Sequence, residues 1–161
     1  MAPNLDAKFI NPFVIATIDV IEIMAGLRPE RKGLHIKSKN EYSFGDISGI
    51  IGFAGDIVGN LAVSFPKDVA ISVISKMVGE TPEFESKLLK EGVSEISNMI
   101  VGSAKGKLSQ SIGCKYSLSI PTVITGKNHY IGHPSNMTVI VVNFIAENIG
   151  EFTVELCLKK D

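Results

Sequence analysis

Glu95 and Asn98 stand three residues apart in the run Glu95-Ile-Ser-Asn-Met-Ile-Val-Gly-Ser-Ala-Lys-Gly106, whose apolar spacing is helical. At about 100° per residue the acid and the amide lie roughly 60° apart on one face. Gly102 falls one turn past Asn98, and Glu91 and Lys105 share the stripe. The opposite face carries Leu89, Val93, Ile96, Ile100 and Ala104, the i, i+3, i+4, i+7 spacing of a buried stripe. The helix is therefore expected to dock through its apolar side and turn Glu95 and Asn98 outward. The pair offers a negative charge beside a neutral group that both donates and accepts hydrogen bonds. Ser94, Ser97 and Ser103 have no nearby His or Lys partner that would mark an activated nucleophile.

Asparagine is a poor helix former, and Gly102 and Gly106 each cost roughly 1 kcal/mol relative to alanine inside a helix. Three such residues within two to three turns need a reason, and close approach by another backbone is one. That backbone belongs either to another element of the same protein or to a partner.

The elements that must carry this helix follow from punctuation and periodicity. A first helix is expected from about Asp6 to Ala25, its regular part beginning near Asn11 if Pro12 is held to the first turn, and Gly26 and Pro29 stop it. Three strands, Leu34–Lys39, Asp46–Phe53 and Val58–Phe65, read as a meander, with Gly55-Asp56 turning the last two. A linker helix over about 67–78 ends at Gly79, the long helix runs from about Glu83 to Ser111, and three more strands follow near Tyr116–Thr125, Met137–Ala146 and Glu151–Leu158.

This order is written twice, over about 6–65 and 83–158. Ile57-Val-Gly-Asn-Leu-Ala-Val-Ser-Phe65 lies over Asn148-Ile-Gly-Glu-Phe-Thr-Val-Glu-Leu156, glycine on glycine, and Phe53 lies over Phe144 at the same offset. A four-residue shift then sets Lys8-Phe-Ile-Asn11 over Glu95-Ile-Ser-Asn98. Asn11 keeps the amide, but Lys8 stands at the acid's place, and Ile15 and Ile18 stand where Gly102 and Lys105 do. Those isoleucines are expected to be packed.

With 161 residues, 45% of them hydrophobic and 20% charged, one domain over 1–161 that buries a real core is expected. A formal charge of −1 argues against a phosphate-backbone binder, so nucleic acid is not an expected partner. No apolar run approaches the roughly 18 residues of a membrane span, and Met1-Ala-Pro-Asn-Leu-Asp lacks the charged-then-apolar order of a signal peptide. A cytoplasmic protein is the expectation, and two cysteines, Cys114 and Cys157, fit a reducing compartment. His129 and His133 have an i, i+4 spacing but sit in Gly126-Lys-Asn-His-Tyr-Ile-Gly-His-Pro134, where no Cys or carboxylate cluster completes a metal site. No metal is expected. Gly52, Gly55 and Gly59 punctuate strands and do not join a strand to a helix, so they form no dinucleotide fingerprint.

Glu95-x-x-Asn98 followed by Gly102, inside two helix-plus-three-strand halves, resembles the CheC/CheX/FliY family of chemotaxis phosphatases over nearly the whole chain. The pattern is most similar to the CheX branch, which carries one working motif, and Asn11-Pro12 also fits that branch. The resemblance implies an α/β (α+β) fold with one mainly antiparallel six-stranded sheet and two long helices packed on it. It implies a homodimer joined through sheet edges, for which the apolar Val139–Ala146 strand offers material to bury. The implied substrate is the aspartyl phosphate of a CheY-like response regulator, which brings its own Mg²⁺, so that the chain needs no cofactor of its own.

An acyl phosphate has a good leaving group, and what is missing is an oriented water. Asn98 would hold it through the amide oxygen, while Glu95 would pair with the regulator's active-site lysine. Glu91, Gly102 and Lys105 complete the partner-binding face. Lys8 would repel that lysine, which leaves Lys8 and Asn11 as a degenerate first site. A docking or adaptor module that uses the same face to bind a response regulator or a flagellar switch component without turnover is the other class of reading. A small-molecule binding domain has less support, because no convergent charged set appears beyond the helix face.

Overall fold

The computed structural model describes residues 7–41 and 45–159. Its elements in order are α1 (Ala7–Ala25), β1 (Glu30–Ile36), β2 (Gly45–Gly55), β3 (Gly59–Phe65), α2 (Lys67–Val78), α3 (Lys87–Ile112), β4 (Tyr116–Leu118), β5 (Thr122–His129), β6 (Met137–Ala146) and β7 (Gly150–Lys159). The expected start of the first helix at Asp6 lies outside the described residues.

Two helix boundaries differ from the sequence expectation. Pro12 lies inside α1, past the first turn. It has no N–H to donate one turn back, and the exposed Lys8 and Asn11 leave that side of the helix open to water. The long helix starts at Lys87 and not at Glu83, because Glu85 adopts φ 66° and Ser86 caps the helix, its Oγ accepting from Leu89 N at 3.2 Å. Gly113 ends α3 in the left-handed region at φ 66°.

The sheet is seven-stranded and antiparallel, ordered β1-β6-β7-β3-β2-β4, with β5 also on β2. The expected six strands become seven because Tyr116–Thr125 breaks at Ser119-Ile120-Pro121. Proline cannot donate to a ladder, so Ser119 fills the gap: its N–H donates to Gly52 O and its Oγ accepts from Gly52 N. The expected meander of the first three strands is also wrong. β1, which spans Glu30–Ile36 and not Leu34–Lys39, pairs with β6 and not with β2, while β4 and β5 pair with β2. Each half thus places its first strand beside the other half's hairpin. β3 and β7 join the halves at the centre, where Val63 faces Val154. Consequently Val139–Ala146 is not an edge: β1 covers it, and the outer strands are β1 and β4/β5.

The three helices cover one face. Ile47, Ile51, Leu61, Val63, Phe65, Phe144, Phe152 and Leu156 rise from that face into a core shared with Phe13, Ile21, Ile74, Leu89, Ile96 and Ile100. Phe144 stacks on Phe152 at 5.2 Å between ring centroids, and Phe65 lies 5.2 Å from Phe152, so one aromatic row crosses three strands.

Asp46 fastens α2 to the sheet. The helix starts after Pro66 with no side-chain cap of its own, and Asp46 of β2 accepts from Lys67 N at 2.7 Å and from Asn128 N at 3.0 Å. Desolvation works against the charge, but those two backbone donors outweigh it and hold the carboxyl below its ordinary range. A depressed carboxyl contributes stability above its unfolded pKa, near 4, that is lost as pH falls through the lower folded value. Asp46→Ala is expected to lower stability by about 1 kcal/mol at neutral pH, the worth of a helix cap. It should also flatten the acid limb of stability below about pH 4. Urea unfolding between pH 3 and 7 checks both; parallel wild-type and variant curves would contradict the assignment.

Candidate functional site

On α3, Glu91, Glu95, Asn98 and Lys105 are all exposed and Gly102 is half-buried, so the polar stripe faces outward as a set. Leu89, Val93, Ile96, Ile100 and Ala104 are fully buried beneath it. Glu91 pairs with Lys87 at 3.7 Å. Glu95 and Asn98 form no side-chain hydrogen bond or ion pair among the described residues. A Cβ placed on Gly102 or Gly106 would meet nothing within 4 Å. Nothing among the described residues would meet a side chain at either position, so close packing within them does not account for the two glycines.

The glycines that do serve close packing lie on the other side. A Cβ on Gly49 of β2 would collide with Ser97 Oγ and come within 3.1 Å of Val93 O, and one on Gly92 would come within 2.7 Å of Ile74 of α2. Gly49 therefore lets α3 settle onto β2, and Gly92 lets α2 settle onto α3. Ser97 Oγ donates to Val93 O at 2.9 Å, which satisfies a fully buried hydroxyl and leaves it no catalytic task. Tyr116 OH donates to Val101 O at 3.0 Å, and burial raises its pKa, keeping it a donor. Lys107 meets Asp19 of α1 at 3.3 Å. Sequence reasoning missed these positioning residues. Gly92 could have been found, since it falls on the buried side of the helix; Gly49 had no local signal.

On α1, Lys8 and Asn11 are exposed, so the degenerate pair also faces outward. Ile18 packs partly against the core, but Ile15 is 48% exposed, contrary to the expectation that both would be packed. Ile15 falls one turn past Asn11 on the same outward stripe as Lys8 and Asn11, all three exposed, so the helix turns it away from the core.

His129 and His133 enter separate networks. His129 Nδ1 lies 2.8 Å from Gly126 O, a pure acceptor, so Nδ1 carries the proton and Nε2 accepts from Ser48 Oγ at 2.6 Å. Ser48 in turn pairs with Ser64 at 2.7 Å. Ser48 is fully buried, so this Ser–His contact fastens β5 to β2 and exposes no nucleophile. His133 lies 3.2 Å from the buried Glu155 carboxylate, which also binds Lys37 at 2.6 Å. Among the described residues no three His, Cys, Asp or Glu side chains gather into a metal-binding group. Nor, among them, is any helix long and apolar enough to cross a membrane.

A family model described as "Chemotaxis phosphatase CheX" matches residues 47–145, which include Glu91, Glu95, Asn98, Gly102 and Lys105. The CheY-P phosphatase CheX of Thermotoga maritima is 26% identical over 125 residues, 77% of this chain and 79% of that protein. The crystal structure of the chemotaxis protein CheX from Desulfovibrio desulfuricans superposes with a TM-score of 0.86 at 38% identity, covering 94% of this chain and 99% of that one. The fold is shared also by the CheX of a CheX–CheY–BeF₃–Mg²⁺ complex from Borrelia burgdorferi, at TM-score 0.78 and 24% identity, covering 94% of this chain and 98% of that one. A match across more than half of the chain, on a fold that places the acid and the amide together on an open helix face, shows that the chain belongs to the CheX family of chemotaxis phosphatases.

Proposed function

We propose that the chain hydrolyses the aspartyl phosphate of a CheY-like response regulator at the Glu95/Asn98 face of α3 and so ends a chemotaxis signal in the cytoplasm. The observation that carries this reading is the emptiness around Gly102 and Gly106. Two residues that each weaken the helix by roughly 1 kcal/mol have nothing among the described residues within reach of a side chain placed on them, beside an exposed acid and amide. They clear room for a second protein. In the Borrelia relative the partner is CheY with Mg²⁺ and BeF₃, the latter standing in for a phosphoryl group.

The mechanism follows from the side-chain chemistry. The regulator's Mg²⁺ neutralises charge on the phosphoryl oxygens, and the acyl oxygen leaves readily. The Asn98 amide oxygen accepts from a water and holds it in line with the phosphorus, with no need for a pKa near neutrality. Glu95, an exposed carboxylate one turn earlier, takes the regulator's active-site lysine and sets α3 across the pocket. Glu91, Gly102 and Lys105 form the rest of the contact face. We read the two halves as one duplicated unit within a single domain, with the Lys8/Asn11 position silent.

Gly102→Ala separates this reading from a structural role for the glycine. Alanine has open space there, so the helix should gain about 0.5–1 kcal/mol of stability while KM for phospho-regulator rises severalfold. Paired denaturation and steady-state assays check it; loss of stability, or a KM unchanged within error, would contradict it. The homodimer is retained on revised grounds. Among the described residues the outer strands are β1 and β4/β5, and edge strands invite pairing with a second chain. Light scattering at micromolar concentration should give twice the chain mass, and a monomer mass would count against it. The docking-module reading is separated from the enzyme by the decay of radiolabelled phospho-regulator with and without the protein. Faster loss of label supports the phosphatase, and binding without faster loss supports the module.

A further inference from the structure

Two of the lysines along α3 are neutralised within the chain, Lys87 by Glu91 and Lys107 by Asp19. Lys105 is not: it is exposed, with no ion pair or side-chain hydrogen bond among the described residues. The unpaired charges of the outer stripe are therefore Glu95 and Lys105, with Asn98 and the bare Gly102 between them. At 1.5 Å per residue Lys105 lies about 10 Å beyond Asn98 along the axis and within roughly 20° of its direction. The stripe thus has a polarity of negative charge, amide, open glycine and positive charge.

We infer that Lys105 is a specificity-determining residue that selects regulators carrying a carboxylate at the rim of the phosphoryl pocket, opposite the cation taken by Glu95. The inference rests on the phosphatase reading above and adds a direction to it. A protein that holds Mg²⁺ beside an acyl phosphate must surround the ion with oxygen ligands, carboxylates among them, so negative charge accumulates around such a pocket. With Asn98 over the phosphorus, a partner in the proposed orientation brings that rim to Lys105. A partner turned end for end would bring its cation to Lys105 and its carboxylates to Glu95, two like-charge contacts. The arrangement fixes the partner's orientation along α3 and rejects proteins with the reverse charge order. An exposed lysine of this kind works on encounter and orientation, while the reacting atoms are about 10 Å away, so its effect belongs in KM and salt dependence.

The test is Lys105→Glu in the full-length protein, assayed with phosphorylated CheY-like regulator. KM is expected to rise about tenfold at low ionic strength with kcat within about twofold, and the difference should shrink as salt is added. Lys105→Met should fall between, and changing to lysine a pocket-rim carboxylate of the regulator that does not ligate Mg²⁺ should restore KM for Lys105→Glu. Lys90→Glu, also exposed on α3 but off the stripe, should leave KM near the wild-type value. An unchanged KM for Lys105→Glu, or an equal rise for Lys90→Glu, would overturn the inference and leave the phosphatase reading standing. Fluorescence anisotropy of BeF₃-treated regulator measures the same loss of affinity without turnover. If wild type failed to accelerate dephosphorylation, the phosphatase reading would fall, and an unchanged Kd for Lys105→Glu would still reject the selective role.

Discussion

Asn98→Ala is expected to lower the rate of regulator dephosphorylation by about 100-fold or more, because an oriented water is what the proposed site contributes beyond the regulator and its Mg²⁺. Asn98 is exposed, so its removal should leave the folded fraction unchanged by circular dichroism. The loss belongs in kcat, since partner contacts at Glu95 and Gly102 survive the substitution, whereas Glu95→Ala should chiefly raise KM. Asn11 provides the internal control. It is an exposed amide on the other long helix, but Lys8 stands where an acid would be needed and the half-exposed Ile15 stands where Gly102 clears space. Asn11→Ala should leave turnover within about twofold. Equal losses at the two positions would mean that the first half is a working site.

The second large effect is on folding. Gly49→Val should destabilise the protein by about 3 kcal/mol or more, because the new side chain enters the contact between β2 and the backbone of α3. The Cβ alone collides with Ser97 Oγ, and it sits 3.1 Å from the Val93 carbonyl and 3.2 Å from Ser97 Cβ, neither of which can turn away as the hydroxyl could. Relief requires α3 to lift from the sheet, carrying Glu95 and Asn98 with it, so activity per folded molecule should fall too. Thermal melts and denaturant titrations of Gly49→Val against Gly102→Ala make the comparison direct. A Gly49→Val variant as stable as wild type would show that α3 is not seated as described.

The helix that carries Glu95 and Asn98 was legible because its information is local. The apolar stripe from Leu89 to Ala104 repeats every three or four residues, and each member is fully buried, which leaves Glu95 and Asn98 outside. Some boundaries were legible but misread. Ser86 is a capping residue ahead of the apolar run, and Pro121 cannot donate to a ladder, so the helix start and the break between β4 and β5 had signals of their own. The run from Val139 to Val142 is buried on both faces, and such a continuous apolar run marks an interior strand better than an edge. Other features were not legible. β1 pairs with β6 across more than a hundred residues, and its Glu30-Arg-Lys-Gly-Leu-His-Ile36 composition fits an edge beside any neighbour. Gly49 is shaped by Ser97, and no window around either residue contains the other. The emptiness around Gly102 and Gly106 is likewise a fact of three dimensions. In the sequence the two glycines fit a packed backbone as well as a partner.

The central claim, that Asn98 presents a water to the phosphorus of a regulator's aspartyl phosphate, is tested most directly by phosphate released in ¹⁸O-labelled water from regulator in large excess over this protein. Hydrolysis at Asn98 predicts many turnovers per chain, a rate proportional to protein, one labelled oxygen in each phosphate, and near-complete loss of the acceleration with Asn98→Ala. Release no faster than from the regulator alone, an acceleration untouched by Asn98→Ala, or label recovered in the aspartate instead of the phosphate would contradict it.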